Sequence, residues 1–177
     1  MKLFHPESLA LNEVVSLKHS AISDERGFFT KIFSDIDFKL LGWDKPISQV
    51  NYSYTLNAGS IRGMHYQLEP YSEDKLVVCL SGSVIDIAVD VRPNSATYLK
   101  NCSKTLSAGN NYSMLIPKGF AHGFQSLENN VALLYLHSAT HSVEYERRIN
   151  PLDPALNIKW PLAITNISKL DQSSPFL

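Results

Sequence analysis

An all-β fold with antiparallel strands is predicted by three features of the 177-residue chain. Apolar and polar residues alternate with period 2 through its middle. Strand-length segments recur, punctuated by Gly and Pro. Apolar residues at helical spacing are scarce. Together these indicate an antiparallel sandwich or barrel with few short helices. In chain order, Ser34–Leu41 has helical spacing, with Ser34 or Asp35 as N-cap and Gly42 closing it. Strands are expected at Ser48–Tyr54 and Lys75–Leu80, the latter turning at Ser81-Gly82 into Ser83–Val91. In that last strand Ile85, Ile87, Val89 and Val91 share one face, and Val84, Asp86, Ala88 and Asp90 the other. Its aspartates therefore face solvent or line a polar cavity. Further strands are expected at Tyr112–Ile116, Gly123–Ser126 and Val131–His137, and a second short helix after Asp153-Pro-Ala-Leu. The last dozen residues lose the pattern and read as a frayed tail.

Composition narrows the function. A mass of 19.8 kDa suits one domain over residues 1–177, without repeat or linker. Hydrophobic residues at 44% and charged residues at 19% exclude a disordered tail or a membrane span. Sixteen basic against 17 acidic side chains, net charge -1, argue against nucleic acid, and without a polybasic run an anionic membrane is not an expected partner. Cys79 and Cys102 form no C-x-x-C pair and are expected to be packing residues in a reducing compartment. The N-terminal residues lack a signal-peptide pattern, and the most apolar stretch, Leu76–Val89, is interrupted by Ser81, Gly82, Ser83 and Asp86. A cytoplasmic domain handling a small molecule is the expectation.

Gly63-Met-His65-Tyr-Gln67, Glu73, Gly82, Gly109 and Ile116-Pro-Lys-Gly-Phe-Ala-His122-Gly-Phe stand in that order. They resemble the two cupin motifs, which implies a jelly-roll barrel with polar side chains turned into a central cavity. A metal-binding cupin needs histidines at i and i+2, so that both imidazoles leave one strand on the same side. Here the second position is Gln67, a poor ligand for iron, manganese or zinc, so the cavity is read as metal-free. In such a cavity a lone imidazole is the natural base near pH 7. His65 as base, Lys75 as the cation for an enolate oxygen and the Tyr135 phenol as acid suit proton abstraction beside a carbonyl. Reprotonation from the opposite face inverts a stereocentre. Asp86 and Asp90 are expected to orient neighbours.

Five ordered stretches carry a more specific resemblance: Asp24–Phe29, Ile61–Gln67, Asp86–Arg92, Ile116–Phe124 and Asp153–Pro161. They look like the signatures of the dTDP-4-dehydrorhamnose 3,5-epimerase family, from about residue 14 to Asp171. The resemblance implies inversion of carbons 3 and 5 of a nucleotide-linked 4-keto-6-deoxyhexose, no metal or organic cofactor, and a homodimer. By position it makes His65 the base, Asp171 its dyad partner, Tyr135 the proton donor and Lys75 the cation. It puts substrate contacts at Arg26, Gln49, Asn51, Arg62, His122 and Glu146. His141 falls where an aromatic residue stacks on thymine. The arginines suit a diphosphate. It also implies that the tail folds back over the barrel mouth.

The chain departs from the family at Lys31, where Glu is usual, at Thr140, where Tyr is usual, and at His141, whose ring is a smaller face for stacking. The catalytic set is intact and the nucleotide-facing set is altered. Three alternatives stand beside the double epimerase: a single-site epimerase or ketoisomerase on a related sugar, a non-catalytic sugar-nucleotide sensor, and a metal-dependent cupin dioxygenase, which Gln67 disfavours. His5, His19 and His137 have no partner pattern and read as structural or exposed.

Overall fold

The computed structural model describes residues 3–177. Its strands are β1 (Phe4–Ser8), β2 (Val15–His19), β3 (Ala21–Asp24), β4 (Gly27–Thr30), β5 (Gln49–Thr55), β6 (Ser60–Gln67), β7 (Lys75–Ser81), β8 (Ser83–Asp90), β9 (Asn101–Ser107), β10 (Tyr112–Ile116), β11 (Phe120–Ser126), β12 (Val131–His137), β13 (Glu146–Arg148) and β14 (Asn166–Ile167). Two short helices, α1 (Asp35–Lys39) and α2 (Lys169–Gln172), and a 3-10 turn at Pro154–Leu156 accompany them. One sheet runs β1-β2-β10-β7-β12-β5 and the other β13-β6-β11-β8-β9, with β14 added in parallel to β6 and the β3–β4 hairpin apart. The other pairings are antiparallel, and the two sheets form a jelly-roll barrel.

Period-2 alternation sorts the side chains into three buried layers. Val77, Met114 and Leu133 from one sheet meet Val84, Ala88, Phe120 and Phe124 from the other inside the barrel. The alternate residues Leu76, Val78 and Leu136 pack outward beneath Phe38 and Trp43. On the second sheet Ile87, Val89 and Ala121 pack outward against Ile149 and Leu156 of the C-terminal quarter. Both faces of β8 are therefore buried, and neither Asp86 nor Asp90 reaches solvent.

The helices are shorter than the apolar spacing suggests. Ser34 caps α1 by accepting from the Asp37 N–H, but Leu41 and Gly42 bond back to Phe38 and Lys39 in tight turns, and Gly42 at φ +94° ends the helix. The segment after Asp153 makes only a 3-10 turn, capped by that carboxylate. The tail is ordered, contrary to its composition. It adds β14 to β6, and α2 starts at the Ser168 cap.

His19 is structural. Its Nδ1–H donates to the Lys31 carbonyl at 2.9 Å, and its Nε2 takes the Ser113 hydroxyl at 2.6 Å. Burial lowers its proton affinity below the ordinary imidazole value, against the pull of the Lys31 carbonyl, and burial does the same to His122. In each case the unfolded chain takes up a proton that the folded one refuses. Their stabilisation is complete above the ordinary value of about 6.5 and drains as pH falls below it, by up to about 1.4 kcal/mol per pH unit for each histidine. The midpoint of thermal unfolding should thus decline from pH 7 to 5, and His19→Gln should shallow that slope. An unchanged slope in the variant would contradict this.

Candidate active site

At one end of the barrel the inward positions change from apolar to polar, and a cavity of about 1010 Å³ opens. On β12, Val131 and Leu133 lie in the core and the next two inward residues, Tyr135 and His137, line the cavity. On β7, Cys79 and Val77 lead to Lys75 in the same way. The facing sheet contributes Arg62, His65 and His122, and Ser168, Leu170 and Asp171 of the tail close one side. Arg62 and His65 are three apart, so regular alternation would turn them to opposite faces. The β6–β11 register instead shifts between His122↔His65 and Phe124↔Arg62, and this irregularity brings both onto the cavity wall. Gly63, at φ +116° within it, approaches Gly123 so closely that an added Cβ would lie 2.6 Å from its Cα.

His65 Nε2–H donates to Asp171 Oδ1 at 2.7 Å, which leaves the Nδ1 lone pair without a partner among the described residues. Burial raises the proton affinity of Asp171, but the His65 hydrogen bond and charge outweigh it and hold the carboxyl below its ordinary range. Arg148 reaches the same oxygen at 3.0 Å, and its other Nη lies 2.9 Å from Glu146 Oε2. The Tyr135 hydroxyl pairs with Ser53 Oγ at 3.2 Å. Burial pushes this phenol well above its usual range, with the charge of Asp86 adding, against the Ser53 hydrogen bond. It stays protonated at neutral pH.

One further pair and one bridged triad line the cavity or lie just behind its wall. His122 Nε2–H donates to Asp86 Oδ1 at 2.7 Å, and burial keeps the imidazole neutral in spite of that carboxylate. Glu73 bridges Lys75 Nζ at 3.4 Å and His137 Nδ1 at 2.9 Å, while Asn51 donates to His137 Nε2 at 3.3 Å. Burial works against ionisation of Glu73, and His137 and Lys75 reverse it, so this carboxyl too is held low.

Of the residues singled out in the sequence, His65, Lys75, Tyr135, Asp171, Asn51, Arg62 and His122 come together on the cavity wall. Gln49, Glu146 and His141 do not line it. Gln49 bonds to Asn51 and to the His141 N–H, and His141 Nε2 is 3.7 Å from Glu146. Arg26 lies outside the cavity, its side chain 85% exposed and paired with Asp24. Sequence reasoning passed over Arg148 and read His137 as structural or exposed; the register His137↔Lys75 is what brings His137 to the site. Gln67 is spent on structure: its amide donates to the Tyr71 and Thr140 carbonyls and accepts from the Ser142 N–H. Among the described residues no group of three or more His, Cys, Asp and Glu is arranged to hold a metal ion.

Comparison with known proteins places nearly the whole chain in one family. The sequence model of the dTDP-4-dehydrorhamnose 3,5-epimerase family matches residues 8–177. A dTDP-4-dehydrorhamnose 3,5-epimerase of Sinorhizobium fredii is 38% identical over 172 residues, covering 97% of this chain and 88% of the relative. The crystal structure of dTDP-6-deoxy-D-glucose-3,5-epimerase from Legionella pneumophila, in complex with dTDP-4-keto-L-rhamnose, superposes with a TM-score of 0.93 at 34% identity, covering 98% of this chain and 92% of the other. A 3'-monoepimerase of Streptomyces bikiniensis, in complex with dTDP-quinovose, superposes with a TM-score of 0.89 at 31% identity, covering 96% and 86%. The match spans the barrel, the cavity and the tail that carries Asp171, and the chain belongs to the dTDP-4-dehydrorhamnose 3,5-epimerase family.

Proposed function

We propose that the chain converts dTDP-4-keto-6-deoxyglucose to dTDP-4-keto-L-rhamnose by inverting carbons 3 and 5 of the sugar. The observation that carries this reading is the opposition of the His65–Asp171 dyad on β6 and α2 to the Tyr135 phenol on β12, across one cavity. His65 takes the proton beside the ketone at Nδ1. The bonding electrons move to the ketone oxygen, where Lys75 stabilises the enolate. The imidazolium so formed is held by Asp171 through Nε2–H. Tyr135 then returns a proton to the opposite face of the same carbon, and the enolate collapses to the ketone. His122, kept neutral with its proton on Nε2, offers Nδ1 as an acceptor for a sugar hydroxyl. Asn51 and Arg62 contact the substrate from the cavity wall, with Gln49, Glu146 and His141 supporting its nucleotide end.

Arg26 enters the same scheme through a second copy of the chain. Phe28 and Phe29 beside it are 61% and 70% exposed, and Tyr52 on the edge strand β5 is 63% exposed. Exposed aromatic side chains of this kind favour burial against another copy, whose β3–β4 turn would bring Arg26 to the cavity. Sedimentation should therefore give twice the 19.8 kDa chain mass; a monomer at micromolar concentration would contradict the dimer. Cys79 and Cys102 are free and buried, their thiols pushed up to about 11 by burial, which suits packing residues; the cytoplasmic setting rests on the sparse cysteine usage of the sequence.

A single-carbon inversion is the second reading, favoured by the likeness to the monoepimerase. The same base and acid serve either outcome, because the result depends on whether the sugar turns to present its second acidic carbon. Proton NMR coupling constants of the product ring distinguish them. The L-rhamno configuration supports double inversion; a product inverted at one carbon alone supports the second reading.

A further inference from the structure

Arg148 lies on the cavity wall, opposite His65 in the β13–β6 register, and has no part in the reaction as proposed. Its guanidinium is committed on both arms. Nη1 shares Asp171 Oδ1 with the His65 imidazole, and Nη2 binds Glu146 Oε2. Glu146 itself does not reach the cavity.

Asp171 has few means of holding its own orientation. It sits in the four-residue α2, where the Ser168 hydroxyl beside it also favours the carboxylate, and its second oxygen meets the Gly63 N–H at a long 3.5 Å. A carboxylate free to rotate would present either oxygen to His65 and would lose the line to Nε2. A planar guanidinium with one arm fixed to Glu146 removes that freedom, and a lysine ammonium lacks the fork to do so. The bonds are charge-assisted and largely screened from water, since the Asp171 side chain is 4% exposed and that of Arg148 30%.

The geometry points to Arg148 as a positioning residue for the His65–Asp171 dyad, braced from behind by Glu146. Glu146 thus acts through Arg148. The inference rests on the epimerase reading for its consequence in turnover, and on the hydrogen-bond network alone for its effect on the dyad.

The test is a double-mutant cycle of Arg148→Ala and Asp171→Asn, with kcat and KM measured on dTDP-4-keto-6-deoxyglucose. Arg148→Ala is expected to lower kcat roughly ten- to hundredfold, with KM changed less than about threefold. In the Asp171→Asn background the same substitution is expected to change kcat by less than about threefold, because the charged carboxylate that the guanidinium orients is already replaced by a neutral amide. Arg148→Lys and Glu146→Gln, which keep a cation on the wall, should fall between wild type and Arg148→Ala, and they decide the matter if Arg148→Ala does not fold. Equal losses in both backgrounds would overturn the inference. So would a rise in KM at unchanged kcat, which would make Arg148 a substrate grip. A second readout needs no turnover: the downfield imidazole N–H resonance of the dyad, identified by its absence in His65→Ala, should shift in Arg148→Ala. A shift with an inactive wild type would sink the epimerase reading and keep this one. An unmoved resonance would sink this one.

Discussion

Replacing His65 with alanine is expected to remove solvent-proton exchange into the sugar while leaving the barrel folded. His65 and His122 both combine a free ring nitrogen with a carboxylate on Nε2–H, and His65 is the one that opens to the cavity, its side chain 31% exposed against 7% for His122. Loss of a general base costs roughly 10²–10⁴-fold, and in the proposed scheme the neighbouring His122 is engaged with a sugar hydroxyl. The fold should survive, because the side chain is 31% exposed on the cavity wall and Asp171 keeps its Arg148 partner when the imidazole is gone. Exchange is read by mass shift in heavy water, and folding by circular dichroism. Exchange within a few-fold of wild type in a folded His65→Ala protein would rule out His65 as the base.

Tyr135→Phe should separate two events that the wild type joins. The base and cation remain, so a proton is still lost and label still enters, within about tenfold of the normal rate. Inversion, which needs a proton from the phenol side, should fall by roughly 10²-fold. The hydroxyl contacts only Ser53 among the described residues, so little of the packing depends on it. Chiral analysis of the product beside total deuterium uptake makes the comparison. Unchanged stereochemistry at an unchanged rate would exclude the phenol as acid.

Both predictions depend on features that differ in how far sequence reveals them. The strands β7, β8, β10 and β12 were legible because each buries one or both faces and writes the period into its residues. The polar interruption Tyr135, His137 in an otherwise apolar inward row is the local sign of a cavity. By contrast β9, with the sequence Asn-Cys-Ser-Lys-Thr-Leu-Ser, pairs at its sheet edge through backbone and shows little apolar alternation. β1 carries Pro6 at an edge, where a missing N–H costs nothing, so its composition reads as loop. The two-residue β14 and the four-residue α2 are too short to carry any period, and the position of Asp171 followed from resemblance alone. The tail is ordered by tertiary bonds that composition does not encode: Asn150 holds the Gln172 and Ser174 carbonyls, and Asp153 holds the Leu177 N–H.

Arg148 escaped for an electrostatic reason. In Glu-Arg-Arg a charge run ordinarily marks a solvated strand, and only pairing to β6 turns one of its arginines toward the dyad. The register shift that puts Arg62 beside His65 is equally silent, since parity along β6 argues the reverse. Of the departures from the family, Lys31 gives its carbonyl to His19, Thr140 gives its carbonyl to Gln67, and neither side chain lines the cavity. His141 stands outside the cavity lining, its Nε2 3.7 Å from Glu146.

The most direct measurement is incubation of the wild-type protein with dTDP-4-keto-6-deoxyglucose in heavy water, followed by positional mapping of deuterium on the sugar ring. Label at both carbons 3 and 5 is the result expected of the proposed double inversion. Absence of label at either carbon, with the protein folded, would contradict it.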